Sequence, residues 1–166
     1  MEVANRIEQA LDAAVARAQG ASGPPRLAEA MRHAVFPGGA RDRRPLTLAV
    51  AKECSEDSPG QNDSVAPSIE LLHCASLVHD DMPCFDDAAT RRGRPSVHAA
   101  FGEPLALLTG DALIVLAFET LARAGLAAPN RLPGQIGVVA RGVGAPPGIT
   151  AGQAWECEPE ADLTAY

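Results

Sequence analysis

The chain has 166 residues, enough for one domain with a single core and too few for two of ordinary size. With 46% hydrophobic and 21% charged residues it lies near the globular average, which excludes wholesale disorder and collagen-like classes. A net charge of −7 excludes a mainly electrostatic grip on nucleic acid or on an anionic membrane.

The N-terminus carries Glu2, Arg6, Glu8 and Asp12 where a signal peptide would have an apolar centre, so a cytoplasmic location is expected. Ile7, Leu11, Val15 and Ala18 recur at helical spacing and predict a first amphipathic helix, ended by Gly20 and the Gly23-Pro24-Pro25 break. A second helix is expected from about Leu27 to Val35. Pro37, Gly38 and Gly39 stop it, a loop runs to Pro45, and that proline can open the next helix at Leu46. The stretch 55–67, rich in Ser, Asp, Pro and Gly, reads as loop, with a weakened helix as the alternative.

From Ser68, a plausible N-cap, to about Met82 the pattern of Ile69, Leu72 and Leu77 with Ala75 and Val78 is helical, and Pro83 interrupts it. Residues 88–101 are polar and basic. Residues 103–124 form the longest apolar helical stretch, in which Thr109-Gly110-Asp111 breaks the run, so no membrane span is expected. Short helices follow around 136–141 and 149–158. Nothing reads clearly as strand, and the predicted fold is all-α. Cys54, Cys74, Cys84 and Cys157 form no C-x-x-C pair and are expected to be free, mostly buried thiols.

Chemistry concentrates between His79 and Arg94. Asp80, Asp81, Asp86 and Asp87 are followed by Arg91, Arg92 and Arg94, at the end of an otherwise apolar helix. Such a cluster beside a core costs desolvation energy unless the charges meet partners. Paired carboxylates suit Mg²⁺, which takes one or two of them plus waters and phosphate oxygens, and arginines suit a diphosphate. At roughly 100° per residue, Asp86 would lie about 120° from Asp80 on an unbroken helix and Asp87 within about 20°. A bend at Pro83 can bring Asp86 round to share an ion with Asp80. His73, seven residues before Asp80, is expected on the same helical face.

The string D-D-x-x-x-x-D-x-x-x-x-R-R-G resembles the first aspartate-rich motif of the trans-polyprenyl diphosphate synthases, the family of farnesyl and geranylgeranyl diphosphate synthases. Its context agrees: 70–79 before it, Pro95-Ser96-Val97-His98 and Phe101-Gly102-Glu103-Pro104 after it, then Leu108-Thr109-Gly110-Asp111. The likeness runs from about Ala30 to Tyr166 and is strongest for bacterial geranylgeranyl diphosphate synthases.

The resemblance implies the N-terminal part of the isoprenoid synthase helical bundle and Mg²⁺-dependent transfer of an allylic prenyl group onto isopentenyl diphosphate. It implies Asp80 and Asp86 as the metal-holding catalytic carboxylates, with Asp81 and Asp87 as neighbouring ones, and Arg91 on the allylic diphosphate. Arg92 and His73 would contact isopentenyl diphosphate. So would the loop resembling G-G-K-R-x-R-P, here with Ala40 in place of Lys, Arg41 in register, and either Arg43 or Arg44 in the second arginine role. Ala75 and Ser76 stand where family members limit product length, and their small size implies a geranylgeranyl-sized product.

Gly152-Gln153-Ala154-Trp155-Glu156 resembles the family's G-Q-x-x-D helix. The second aspartate-rich motif has no counterpart in these residues, so residues 1–166 read as a single, truncated synthase domain, weak or inactive alone. The alternative is an inactive subunit that binds a prenyl diphosphate or a full-length partner, or pairs with itself. A third reading takes His79, Asp80, His33 and Asp111 as the metal set of an HD-type phosphohydrolase.

Overall fold

The computed structural model describes residues 2–20, 22–36, 59–126 and 129–159. The loop bearing Arg41, Arg43 and Arg44, the helix expected at Leu46, Cys54 and the stretch after residue 159 lie outside the described residues. Within them the chain forms α1 (Glu2–Gln19), α2 (Pro25–Val35), α3 (Pro59–Asp80), a hairpin of β1 (Thr90–Arg91) and β2 (Arg94–Pro95), α4 (Val97–Phe101), α5 (Glu103–Gly125), α6 (Leu132–Val143) and α7 (Ile149–Glu156). The fold is all-α, as expected, with the antiparallel hairpin as the one departure among these residues.

The core follows from the apolar spacing. Ile7, Leu11, Ala14 and Val15 of α1, Met31 and Val35 of α2, Leu71, Leu72 and Ala75 of α3, and Leu113, Leu116 and Ala117 of α5 bury one another. Ala14 takes the buried place expected for Ala18, which is exposed. A smaller cluster of Ala30, Val78, Met82, Val97 and Ala106 seats α4 beneath the end of α3. Arg32 of α2 donates to Asp12 of α1 at 2.8 Å.

Three expectations are corrected. The stretch 59–67 is helix, not loop: α3 runs through Pro67, and Ser68 lies buried inside it instead of capping it. An interior proline costs about 3 kcal/mol of helix propensity, but Ala66, Pro67 and Ser68 all face the core and tertiary burial outweighs it. Residues 103–123 are apolar enough, by length and composition, to cross a membrane. In this fold that segment is the central core helix, with Leu113, Leu116, Ala117 and Leu121 buried. Finally, of the described cysteines only Cys74 is buried, while Cys84 and Cys157 are exposed.

Candidate active site

The helix α3 stops at Asp80, three residues before Pro83. Its last carbonyls are taken by the chain curling back: Asp86 N–H donates to Asp80 O at 3.0 Å, Asp87 N–H to Met82 O at 3.1 Å and Ala88 N–H to Asp81 O at 3.1 Å. These bonds satisfy acceptors that a helix end leaves open. They also bring Asp86 back beside Asp80, the juxtaposition expected from a proline bend, here made by a turn. Asp87 adopts a left-handed backbone, φ 47°, and its carboxylate lies 3.8 Å from His98 Nε2. Asp86, not Asp87, has its backbone N–H bonded to Asp80.

The two residues of the Asp80-Asp81 pair meet different surroundings. Asp81 is buried and accepts from Arg91: Nε lies 2.7 and 2.9 Å from its two oxygens and Nη2 2.6 Å from Oδ1. Asp80 is part-exposed. Its Oδ2 lies 3.2 Å from Arg91 Nη2, and its Oδ1 accepts from Gln153 Nε2 of α7 at 3.3 Å. The hydrogen bond to Asp81, reinforced by the charges of Asp81, Asp80 and Asp86, raises the Arg91 pKa above its usual value, against the opposing effect of burial. Arg91 and Arg94 pair across the hairpin, whose turn residues Arg92 and Gly93 have φ of 53° and 76°. Positive φ at both positions makes a tight turn of the kind that suits a two-residue hairpin loop.

The end of α3 separates two concavities. One is an apolar cleft of about 510 Å³ between α3, α5, α6 and α7, with Leu72, Ala75 and Ser76 along α3, Ile114 and Val143 opposite, and Asp80, His79 and Gln153 at its polar edge. The other is a cavity of about 40 Å³ between α2, α3 and the hairpin, lined by His73, Asp81, Arg91, Arg92 and Arg94 together with His33. His73 therefore shares a cavity with Asp81 and the arginines, not with Asp80, although seven residues of ideal helix would put the two on one face. Ala75 and Ser76 do line the larger cleft, one turn below Asp80.

Among the described residues no three His, Cys, Asp or Glu side chains converge into a ready-made metal cage. Such a cage is what the HD-type reading needs, and His33 is engaged elsewhere, with Pro95 and Arg94. Mg²⁺ makes a smaller demand, since it keeps waters and takes phosphate oxygens beside one or two carboxylates. Asp80, part-exposed at the cleft, and exposed Asp86 next to it fit that donor set.

Gln153 is the residue that spacing alone missed. Its signal was the Gly152-Gln153 string, but 73 residues separate it from Asp80, and only packing of α7 against the end of α3 brings them together. His79, named in the sequence only for the HD-type reading, lines the cleft and reaches α5, 3.3 Å from the Leu107 carbonyl oxygen and 3.8 Å from Asp111.

Comparison with known proteins agrees with this fold. The chain is 54% identical over its whole length to a geranylgeranyl diphosphate synthase of Cereibacter sphaeroides and 48% identical to one of Rhodobacter capsulatus, spanning 58% and 57% of those proteins. Among solved structures it matches a geranyltransferase of Legionella pneumophila with a TM-score of 0.84 at 30% identity, covering 99% of this chain and 56% of that one. It also matches an FPP/GFPP synthase of Zymomonas mobilis with a TM-score of 0.81 at 35% identity, covering 99% and 62%. The polyprenyl synthetase family model matches residues 24–165. An aspartate turn closed on itself, an arginine hairpin bound to it and an apolar cleft beneath thus sit on a helical scaffold shared with isoprenoid synthases, and the chain belongs to the polyprenyl synthetase family.

Proposed function

We propose that this chain serves Mg²⁺-dependent prenyl transfer from an allylic diphosphate to isopentenyl diphosphate, with a geranylgeranyl-sized product. The observation that carries this reading is the position of Asp80, whose carboxylate stands at the edge of the 510 Å³ apolar cleft and 3.2 Å from Arg91. A diphosphate held there directs its hydrocarbon tail past Ser76 and Ala75, whose small side chains leave the cleft open.

Asp80 and Asp86 are the residues that would hold Mg²⁺, with Asp81 and Asp87 beside them. When bound, the ion supplies charge neutralisation for a departing diphosphate. The chain's own residues do the rest. Gln153 fixes Asp80 from one side, Arg91 turns from Asp80 toward the incoming allylic diphosphate, and Arg92 and His73 flank the second diphosphate. The apolar walls exclude water from a developing allylic cation. Arg41, with Arg43 or Arg44, belongs to the same proposal as further contacts to isopentenyl diphosphate.

The chain spans somewhat under three fifths of the Cereibacter and Rhodobacter synthases it matches. The expectation from its residues is therefore weak or no turnover by this polypeptide alone. A second reading, a binding subunit that pairs with itself or with a full-length homologue, is favoured by the outward face of α5, where Leu107, Leu108 and Val115 are exposed. One assay separates them: purified chain with Mg²⁺, labelled isopentenyl diphosphate and farnesyl diphosphate, with and without a full-length homologue. Elongated product from the chain alone supports the enzyme reading. Product only on mixing, or metal-dependent ligand uptake without product, supports the subunit.

A further inference from the structure

The hairpin that carries Arg91 and Arg92 is too short to hold itself. Each strand has two residues and the turn places Arg92 in a left-handed conformation that favours glycine. Two-stranded pairs this small are not independently stable in water. The fixing must come from outside. On one side Asp81 grips Arg91.

On the other side stands His33 of α2. Its Nε2 lies 2.8 Å from the Pro95 carbonyl oxygen and its Nδ1 3.1 Å from Arg94 Nη2. A carbonyl only accepts and a guanidinium only donates, so the two partners together select the tautomer in which Nε2 donates and Nδ1 accepts. Arg94 reaches on through Nη1 to the Phe36 carbonyl oxygen at the C-terminal end of α2, 3.4 Å away. The ring of Phe101 meets the imidazole edge-on at 5.4 Å and 73°, which fixes its plane. One side chain thus ties β2 to α2 through both of its ring nitrogens.

We propose that His33 is a positioning residue. With Arg94 it latches the hairpin onto α2 and so holds the Arg91 and Arg92 guanidinium groups where a diphosphate is to be bound. It acts through Pro95 and Arg94. The diphosphate half of this statement rests on the proposed function, whereas the latch can be tested without it.

The test uses the full 166-residue chain and the variants His33→Leu, His33→Gln and Arg94→Leu. Backbone hydrogen exchange over residues 90–96 reads the latch. Calorimetric titration with inorganic pyrophosphate in Mg²⁺, and with Mg²⁺ alone, reads the site. Glutamine can donate to Pro95 and accept from Arg94, and leucine can do neither.

His33→Leu and Arg94→Leu are expected to speed hairpin exchange and weaken pyrophosphate binding about tenfold, with Mg²⁺ affinity within about twofold and His33→Gln within about threefold of the parent. The double leucine variant should lose little more than either single one. The latch is overturned by unchanged hairpin exchange in both leucine variants, by glutamine behaving like leucine, or by exchange rising equally across α1 and α5. Failure of the parent chain to take up pyrophosphate removes the functional reading, and the exchange comparison still decides the latch.

Discussion

Asp80 and Asp81 are adjacent carboxylates with opposite fates. About 100° of helix separates them, enough to turn one toward the apolar cleft and the other into the protein against Arg91. Asp80→Asn is therefore expected to abolish Mg²⁺ uptake. Asp81→Asn should retain it, lower stability by about 2 kcal/mol through the loosened Arg91 pair, and weaken pyrophosphate binding. Titration of both variants with Mg²⁺ and then pyrophosphate checks the division, and equal loss of metal by the two would refute it. The raised Arg91 pKa adds stability that is present at every pH below the ordinary arginine value and lost only as pH climbs through the raised one. The guanidinium is accordingly charged throughout the working range. Residue types and their spacing announced this cluster, because four acids and three arginines in fifteen residues need partners. Which acid meets the arginine was not legible, since that depends on where the helix stops.

Among the elements, α3 and α5 do most to place the site, and of the two α3 departs from its sequence reading. Local propensity counts Gly60, Asn62 and Pro67 against a helix, yet α3 continues through all three because its faces pack on α1 and α5. An apolar stretch as long as α5 satisfies a membrane span or a core helix equally, and only its neighbours decide between them. The two helices cross closely at Gly110, where an added Cβ would collide with the His79 ring. Gly110→Ala is expected to cost about 1–3 kcal/mol, read as a lower midpoint of thermal unfolding, because the bulk lands on a ring held between Leu107 and Asp111. An unchanged midpoint would mean that the helices slide freely there. The stretch from the end of α3 through the hairpin turn, residues 81–93, shows the converse. Its break was signalled by Pro83, but the hairpin was not, because two-residue strands carry no alternation to read.

At the scale of the whole molecule, the helices enclose an apolar cleft whose charged edge and small-residue wall come from one helix, α3, and whose other walls come from α5, α6 and α7. Ala75→Phe should fill it: the variant is expected to bind farnesyl and geranylgeranyl diphosphates at least tenfold more weakly than the parent while keeping its pyrophosphate affinity. Equal affinity for the long-chain ligands in both would place the hydrocarbon elsewhere. The sequence by itself determined the helical class, most helix positions, the family and the acid and arginine cluster, because each is written in local periodicity or in a contiguous motif. Only the tertiary structure decided that Gln153 holds Asp80, that His33 holds the hairpin, that His73 and Asp80 open into different cavities, and that α3 runs through Pro67. These depend on contacts between residues far apart in the chain, whose burial energies outweigh local preference and which no window of sequence contains.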